Sequence, residues 1–189
     1  MEGKAIIFSA PSGAGKTTIV HSLLDRIPGL RFSISATTRK KRPTEIDGRD
    51  YYFLPVDEFK SKQDSGDLLE WEEVYTDTFY GTLKGEVERI WSEGNHVIFD
   101  VDVKGGKKLK QIFGDKALSI FVKVKSEDVL RERLKSRNTE SEEALEQRIN
   151  KASEEMKEEV HFDVAVLNEN LDVAINEAER LVKSFIRRE

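Results

Sequence analysis

Apolar residues in this chain fall into short clusters separated by polar breakers. Ala5 to Phe8 form a β-type run, a loop of small residues follows, and Ile19, Val20, Leu23 and Leu24 then recur at helical spacing until Pro28 and Gly29 end the pattern. A strand is expected around Phe32 to Ala36. Further on, "PVDEFKSKQDS" (55–65) predicts a short helix opened by Pro55, and "LLEWEEVYTDTFYGT" predicts strands with a turn near Thr76 and Asp77. Helix and strand then alternate through "LKGEVERIWSEG", "NHVIFDV", "VKGGKKLKQIFG" and "ALSIFVKV". The chain closes on a strand and turn, "FDVAVLNENL", and on a helix with Ala174, Ile175, Ala178, Leu181, Val182 and Phe185 along one side. This alternation predicts an α/β fold: a central parallel sheet covered by helices, with ligands at the carboxyl ends of the strands.

Two segments depart from the alternation. Residues 33–82 include the basic, breaker-rich "TTRKKRPTEIDGRDYYFLP" and read as a small mixed α+β module inserted into the core. Residues 126–158 are polar and almost wholly helical, with a break around Arg137 to Thr139; they predict a helical hairpin with few large apolar residues to pin it down. Residues 1–32, 83–125 and 159–189 are left as the core domain.

Composition narrows the picture. A chain of 189 residues suits one main domain, and 35% charged residues with a net charge of -5 give a solvated surface without global attraction for nucleic acid or anionic membrane. No apolar run is long enough to span a bilayer and no secretory signal is evident. With no cysteine there is no disulfide framework or thiol chemistry, and His21, His96 and His161 lack metal-ligand spacing. The expectation is a cytoplasmic protein, monomer or small homo-oligomer, that engages neither a nucleic acid polymer nor a membrane.

The chemistry begins in "IIFSAPSGAGKTTIV" (6–20), where strand, small-residue loop and helix arrive in the order of a phosphate-binding loop. Gly13 and Gly15 let consecutive N–H groups and the helix N-terminus face an anion, while Lys16 supplies a point charge and Thr17 a hydroxyl for magnesium. Ala10 stands where the pattern usually has its first glycine, which requires a negative φ there. Asp100, at the end of "HVIF", is placed to meet magnesium directly or through water, with Asp102 serving the substrate or the two roles exchanged. Asp102, two residues on, faces the same side; both can alternatively cap the helix beginning near Lys104.

Such a loop serves motors, switches and phosphoryl transfer. "DVKG" (102–105) matches the D-x-x-G of GTP switches, but no N-K-x-D guanine-reading motif accompanies it. Transfer to a phosphorylated acceptor accounts for more residues, because it needs positive charge on both phosphates. Arg39 and Arg42 are spaced to converge on one acceptor phosphate. Arg133 and Arg137 share a helix face that Arg148 can meet across the hairpin; the alternative is that all three balance the glutamates around Glu146 on a solvated face.

The blocks "SAPSGAGKTT", "SISATTRKKRPTEIDGRDYYF", "LLEWEEVYTDTFYGT", "VIFDVDVKGG", "RLKSRNTESEEALEQRI" and "FDVAVLNENLDVA" together resemble the guanylate kinase family. The resemblance implies a three-layer P-loop NTPase fold with a GMP-binding module at 33–82 and a lid at 126–158, and transfer of the γ-phosphate of ATP to GMP and dGMP with Mg2+. It implies that ATP is held by Ser12, Gly13, Ala14, Gly15, Lys16, Thr17, Thr18, Arg133 and Arg137, with Asn168 near the adenine. Lys16, Arg39, Arg137 and Arg148 would be catalytic, and Thr17 and Asp100 would serve the metal. The GMP phosphate would be held by Ser35, Arg39, Arg42, Tyr51 and Tyr80, and the base read by Glu70, Thr82 and Asp102 beside Gly81. A carboxylate suits guanine because it accepts from N1–H and N2–H together, whereas adenine offers an acceptor at N1. The alternatives are a kinase for another nucleoside monophosphate and an inactive protein-binding module, although such modules tend to lose the donor loop retained here. Departures from the family are Ala10, Asn138 in "SRNTE" where glycine is usual, and "KVKS" in place of a proline pair leading to the lid.

Overall fold

A computed structural model describes residues 3–135 and 142–187. Its first strand, β1 (Ala5–Ser9), is wholly buried and leads through the small-residue loop into α1 (Lys16–Arg26). The chain continues through β2 (Leu30–Phe32), β3 (Ala36–Thr37), β4 (Tyr52–Phe53), α2 (Val56–Asp64), β5 (Leu68–Tyr75), β6 (Thr78–Leu83) and α3 (Lys84–Ser92). Then come β7 (His96–Asp100), α4 (Val103–Phe113), β8 (Ala117–Lys123), α5 (Glu127–Lys135), α6 (Glu142–Met156), β9 (Val164–Leu167) and α7 (Leu171–Ile186).

Strands β2-β7-β1-β8-β9 form a parallel sheet in that order. Alternation along β1 divides its side chains between two cores. Ile6 and Phe8 pack with Ile19, Val20 and Leu23 of α1 and Ala178 and Val182 of α7, while Ala5 and Ile7 pack with Val87 and Ile90 of α3 and Leu109 of α4. The result is three layers, helix on sheet on helix. A second sheet, β4-β3-β6-β5, is mixed: β3 and β4 run parallel, while β6 is antiparallel to both β3 and β5. Its own core centres on Ala36, Phe59 and Phe79.

The single strand expected over 32–36 is two strands in different sheets. Phe32 packs on the main core and Ser33 N–H still donates to Ile98, but by Ala36 the chain pairs with β4 and β6. The crossover lies in the residues between. The hairpin turn falls where expected, with Asp77 at φ 57 joining β5 to β6. Pro55 is the residue just before α2.

The helical hairpin is anchored more firmly than its composition suggests. Leu130 and Leu134 on α5, and Ile149 and Ala152 on α6, are buried; Leu130 and Ala152 join the core of β1. Apolar residues at i, i+4 and i, i+3 provide a narrow inward face inside a charged sequence. The expected break at Arg137 to Thr139, with Asn138, lies outside the described residues.

Candidate active site

The phosphate loop occupies residues 10–15, at the carboxyl end of β1. Among the described residues Asp77 is the one non-glycine with positive φ, so Ala10 keeps the negative φ that the loop requires, and it is buried against the main core. Gly13 and Gly15 have φ of 89° and 90°. A Cβ on Gly15 would lie 2.4 Å from Asn168 Nδ2, so the site needs glycine for both conformation and space. Asn168 is buried and donates from Nδ2 to the Ala14 carbonyl at 2.7 Å, which ties the loop to the end of β9. Asn168 therefore braces the loop through its side chain. Thr18, in the first turn of α1, is exposed.

Lys16, Thr17 and Asp100 meet because β1 and β7 are paired in register, Phe8 opposite Asp100. Lys16 forms an ion pair with Asp100 and donates to the Val101 carbonyl at 2.6 Å. Thr17 Oγ1 donates to Asp100 Oδ2 at 2.6 Å. A hydroxyl and a carboxylate side by side are hard oxygen ligands that fit magnesium, which binds through few protein oxygens together with substrate phosphates.

The hairpin lies over this loop. Arg148 donates to Ser12 Oγ at 2.8 Å, and Arg133 donates to the Asn168 carbonyl at 2.8 Å and to the Ala14 carbonyl at 3.4 Å. Leu134 would stand 3.2 Å from a Cβ on Gly13. Glu155, seven residues beyond Arg148 on α6, accepts from the Ser12 N–H; burial raises its carboxyl against the opposing pull of Lys151 and that N–H. Arg133 and Arg148 thus reach the phosphate loop from two helices, whereas Arg137 lies outside the described residues.

A cavity of about 820 Å³ is lined by Lys16, Thr17 and Asp100, by Ser35, Tyr51, Tyr80 and Gly81, and by Glu70 and Asp102. Thr82 is fully buried and donates to Glu70 Oε1 at 2.6 Å, so it acts by aiming the carboxylate. Burial pushes the Glu70 carboxyl above the ordinary glutamate range, with the Thr82 hydrogen bond opposing the shift and Asp102 reinforcing it. Asp102 caps α4, its Oδ1 accepting from Gly105 N–H at 2.8 Å, and still lines the cavity. The capping and cavity-facing readings of this residue therefore hold together.

Arg39 and Arg42 are not equivalent. Arg39 lies 5.0 Å from the Tyr51 ring and donates from Nε to the Tyr80 hydroxyl at 3.1 Å. Its fork is engaged bidentately by Glu45 at 2.6 and 2.7 Å, which holds the Glu45 carboxyl down to about 2. The Arg42 side chain is exposed, and its backbone N–H caps the same Glu45 carboxylate. Neither arginine lines the cavity; Arg49, Glu72 and Lys151 do, and sequence reasoning missed them. Glu72 had a readable signal, since it is two residues from Glu70 on a strand and so shares its face. Lys151 is three residues from Arg148 on one helix face.

A parallel sheet with a phosphate loop after its first strand, an inserted mixed sheet opposite and a helical hairpin above defines a P-loop nucleotide-binding fold built for two ligands. The sequence matches the family described as Guanylate kinase over residues 2–185, and the chain belongs to that family. It is 48% identical to the guanylate kinase of Salinibacter ruber over 96% of each chain, and 47% identical to that of Bacteroides thetaiotaomicron over 100% of this chain and 93% of the other. The crystal structure of guanylate kinase from Anaplasma phagocytophilum shares the fold, with a TM-score of 0.80 at 24% identity over 99% of this chain and 88% of that one.

Proposed function

We propose that this protein transfers the γ-phosphate of ATP to GMP, and to dGMP as a secondary acceptor, giving ADP and GDP. Family membership and close relatives named guanylate kinase support the reaction. The observation that carries it is a single cavity lined both by Lys16 and Thr17 of the phosphate loop and by the Glu70 and Asp102 carboxylates. In this reading the base lies against Glu70, which accepts from guanine N1–H and N2–H while Thr82 holds the carboxylate in place. The acceptor phosphate lies between Ser35, Tyr51 and Tyr80, with Arg39 and Arg42 supplied by the adjoining loop. A phosphate oxygen of GMP attacks the γ-phosphorus in line, and the bond to the β,γ-bridging oxygen breaks to release ADP.

The phosphate loop and Lys16 hold the donor phosphates, and Arg133, Arg137 and Arg148 are assigned to the spreading negative charge. Magnesium, bound through Thr17 and Asp100, would neutralise donor oxygens and orient them. No strong general base is required, because positioning and electrostatics supply most of the rate. Residues 33–82 serve as the acceptor module and 126–158 as the lid. Among the described residues no helix is long and apolar enough to cross a membrane, and we assign the protein to the cytoplasm as a monomer or small homo-oligomer.

A coupled assay offering Mg-ATP with GMP, dGMP, AMP, CMP or UMP tests the reading. Turnover with GMP, less with dGMP and little with the others is expected; preference for AMP would refute the base-reading assignment, and silence with every acceptor would refute the enzyme.

A further inference from the structure

Strand β5 alternates its side chains, so Glu70, Glu72 and Val74 line the cavity while Trp71, Glu73 and Tyr75 are exposed. Glu70 Oε1 already accepts from Thr82 and Asp102 Oδ1 from Gly105 N–H. Glu72 differs. Its side chain is 19% exposed, its Oε1 accepts from Lys104 Nζ at 2.5 Å, and its Oε2 is buried with no hydrogen-bond partner. A buried acceptor without a donor is costly, and a ligand N–H arriving there recovers that cost. Burial and the neighbouring Asp102 carboxylate raise the Glu72 carboxyl above the ordinary glutamate range, with the Lys104 ion pair opposing the shift.

We propose that Glu72 is a specificity-determining residue for the acceptor, its Oε2 accepting a hydrogen bond from the exocyclic 2-amino group of guanine. The proposal rests on the reading of this cavity as the GMP site. Glu70 takes N1–H and one amino hydrogen, and the second amino hydrogen needs an acceptor on the Asp102 side of the base. Glu72 Oε2 supplies a buried one that has no donor. The enzyme therefore distinguishes GMP from inosine monophosphate, which has the same ring system, N1–H, ribose and phosphate but lacks the amine.

Calorimetric titration of GMP and of inosine monophosphate into the parent, Glu72→Ala, Glu72→Gln, Lys104→Ala and Glu70→Ala proteins tests this. Glu72→Gln keeps the side-chain volume and serves if Glu72→Ala fails to fold; Lys104 holds its amide oxygen at the Oε1 position, so the amide N–H group, a donor, takes the buried Oε2 position facing the amine. Loss of this acceptor should weaken GMP by about tenfold or more in either Glu72 variant. Inosine monophosphate should change by less than about twofold, because it never made the bond. Equal weakening of both nucleotides, or no weakening of GMP, would overturn the proposal. So would a selective loss larger in Lys104→Ala than in Glu72→Ala, since the lysine and not the carboxylate would then carry the discrimination. Undiminished GMP binding by Glu70→Ala would instead refute the cavity assignment itself.

Discussion

The phosphate loop takes its geometry from the backbone of residues 10–15 between β1 and α1, whereas the rest of the cavity lining assembles side chains from the β2–β3 crossover, a polar loop, β5, β6 and the start of α4. Around the loop, Ala5, Ile6, Ile7 and Phe8 are all fully buried; the second sheet rests on a core centred on Ala36, Phe59 and Phe79. A triphosphate presents much the same surface to any protein, so N–H groups and a helix terminus suffice to bind it. Choosing one base requires acceptors at specified points, which only side chains supply. In the proposed function the module of the second sheet is accordingly the part assigned to distinguish substrates.

The largest effect should come from the donor end. Lys16→Met is expected to lower kcat by about 100-fold or more, because it removes charge where charge shifts in the transition state. Steady-state kinetics with GMP as the varied substrate reads this directly. Arg39→Ala comes next: loss of a bidentate guanidinium should reduce kcat/KM for GMP by about 10- to 100-fold, through KM as well as kcat. Arg42→Ala should act in the same direction and by less, since Arg42 is exposed while Arg39 already contacts Tyr80. Kinetics of Arg42→Ala identical to the parent would return that residue to the solvated surface.

The smallest effect is on stability. Burial raises the Glu70 carboxyl, so the folded chain favours its neutral form. Stability from this group is full below the ordinary glutamate range and is lost as pH rises through the folded value. At neutral pH the ionised group therefore costs stability, and Glu70→Gln should raise Tm by about 2 °C while weakening GMP. The Tm difference should close as pH falls through the acidic range. A variant that melts lower than the parent at pH 7 would contradict a strained, substrate-directed carboxylate.

What could be read in advance follows the same division. The loop was legible because all its parts are contiguous, and the parallel core because buried strands alternate with helices. The break between Phe32 and Ala36 was not, because nothing local says that the two ends of one apolar stretch join different sheets. The Arg39–Glu45 pair depends on a loop folding back on itself, and spacing alone pointed instead to Arg39 and Arg42 acting together. In the hairpin, Leu130, Ile149 and Ala152 were masked by surrounding charge although their helical spacing was present. Glu72 was passed over inside an acidic run, where only strand alternation separates a cavity-facing carboxylate from a solvated one.

Separate recognition at the two ends is tested most directly by titration calorimetry of GMP, and of Mg-ATP, into Lys16→Met and Glu70→Ala. In Lys16→Met the GMP Kd should stay within about twofold of the parent despite the fall in kcat, because that lysine is assigned to the donor phosphates. In Glu70→Ala the GMP Kd should rise about tenfold or more with the Mg-ATP Kd unchanged. Parallel loss of both ligands in either variant would mean that the cavity is one undivided site, and would contradict the account.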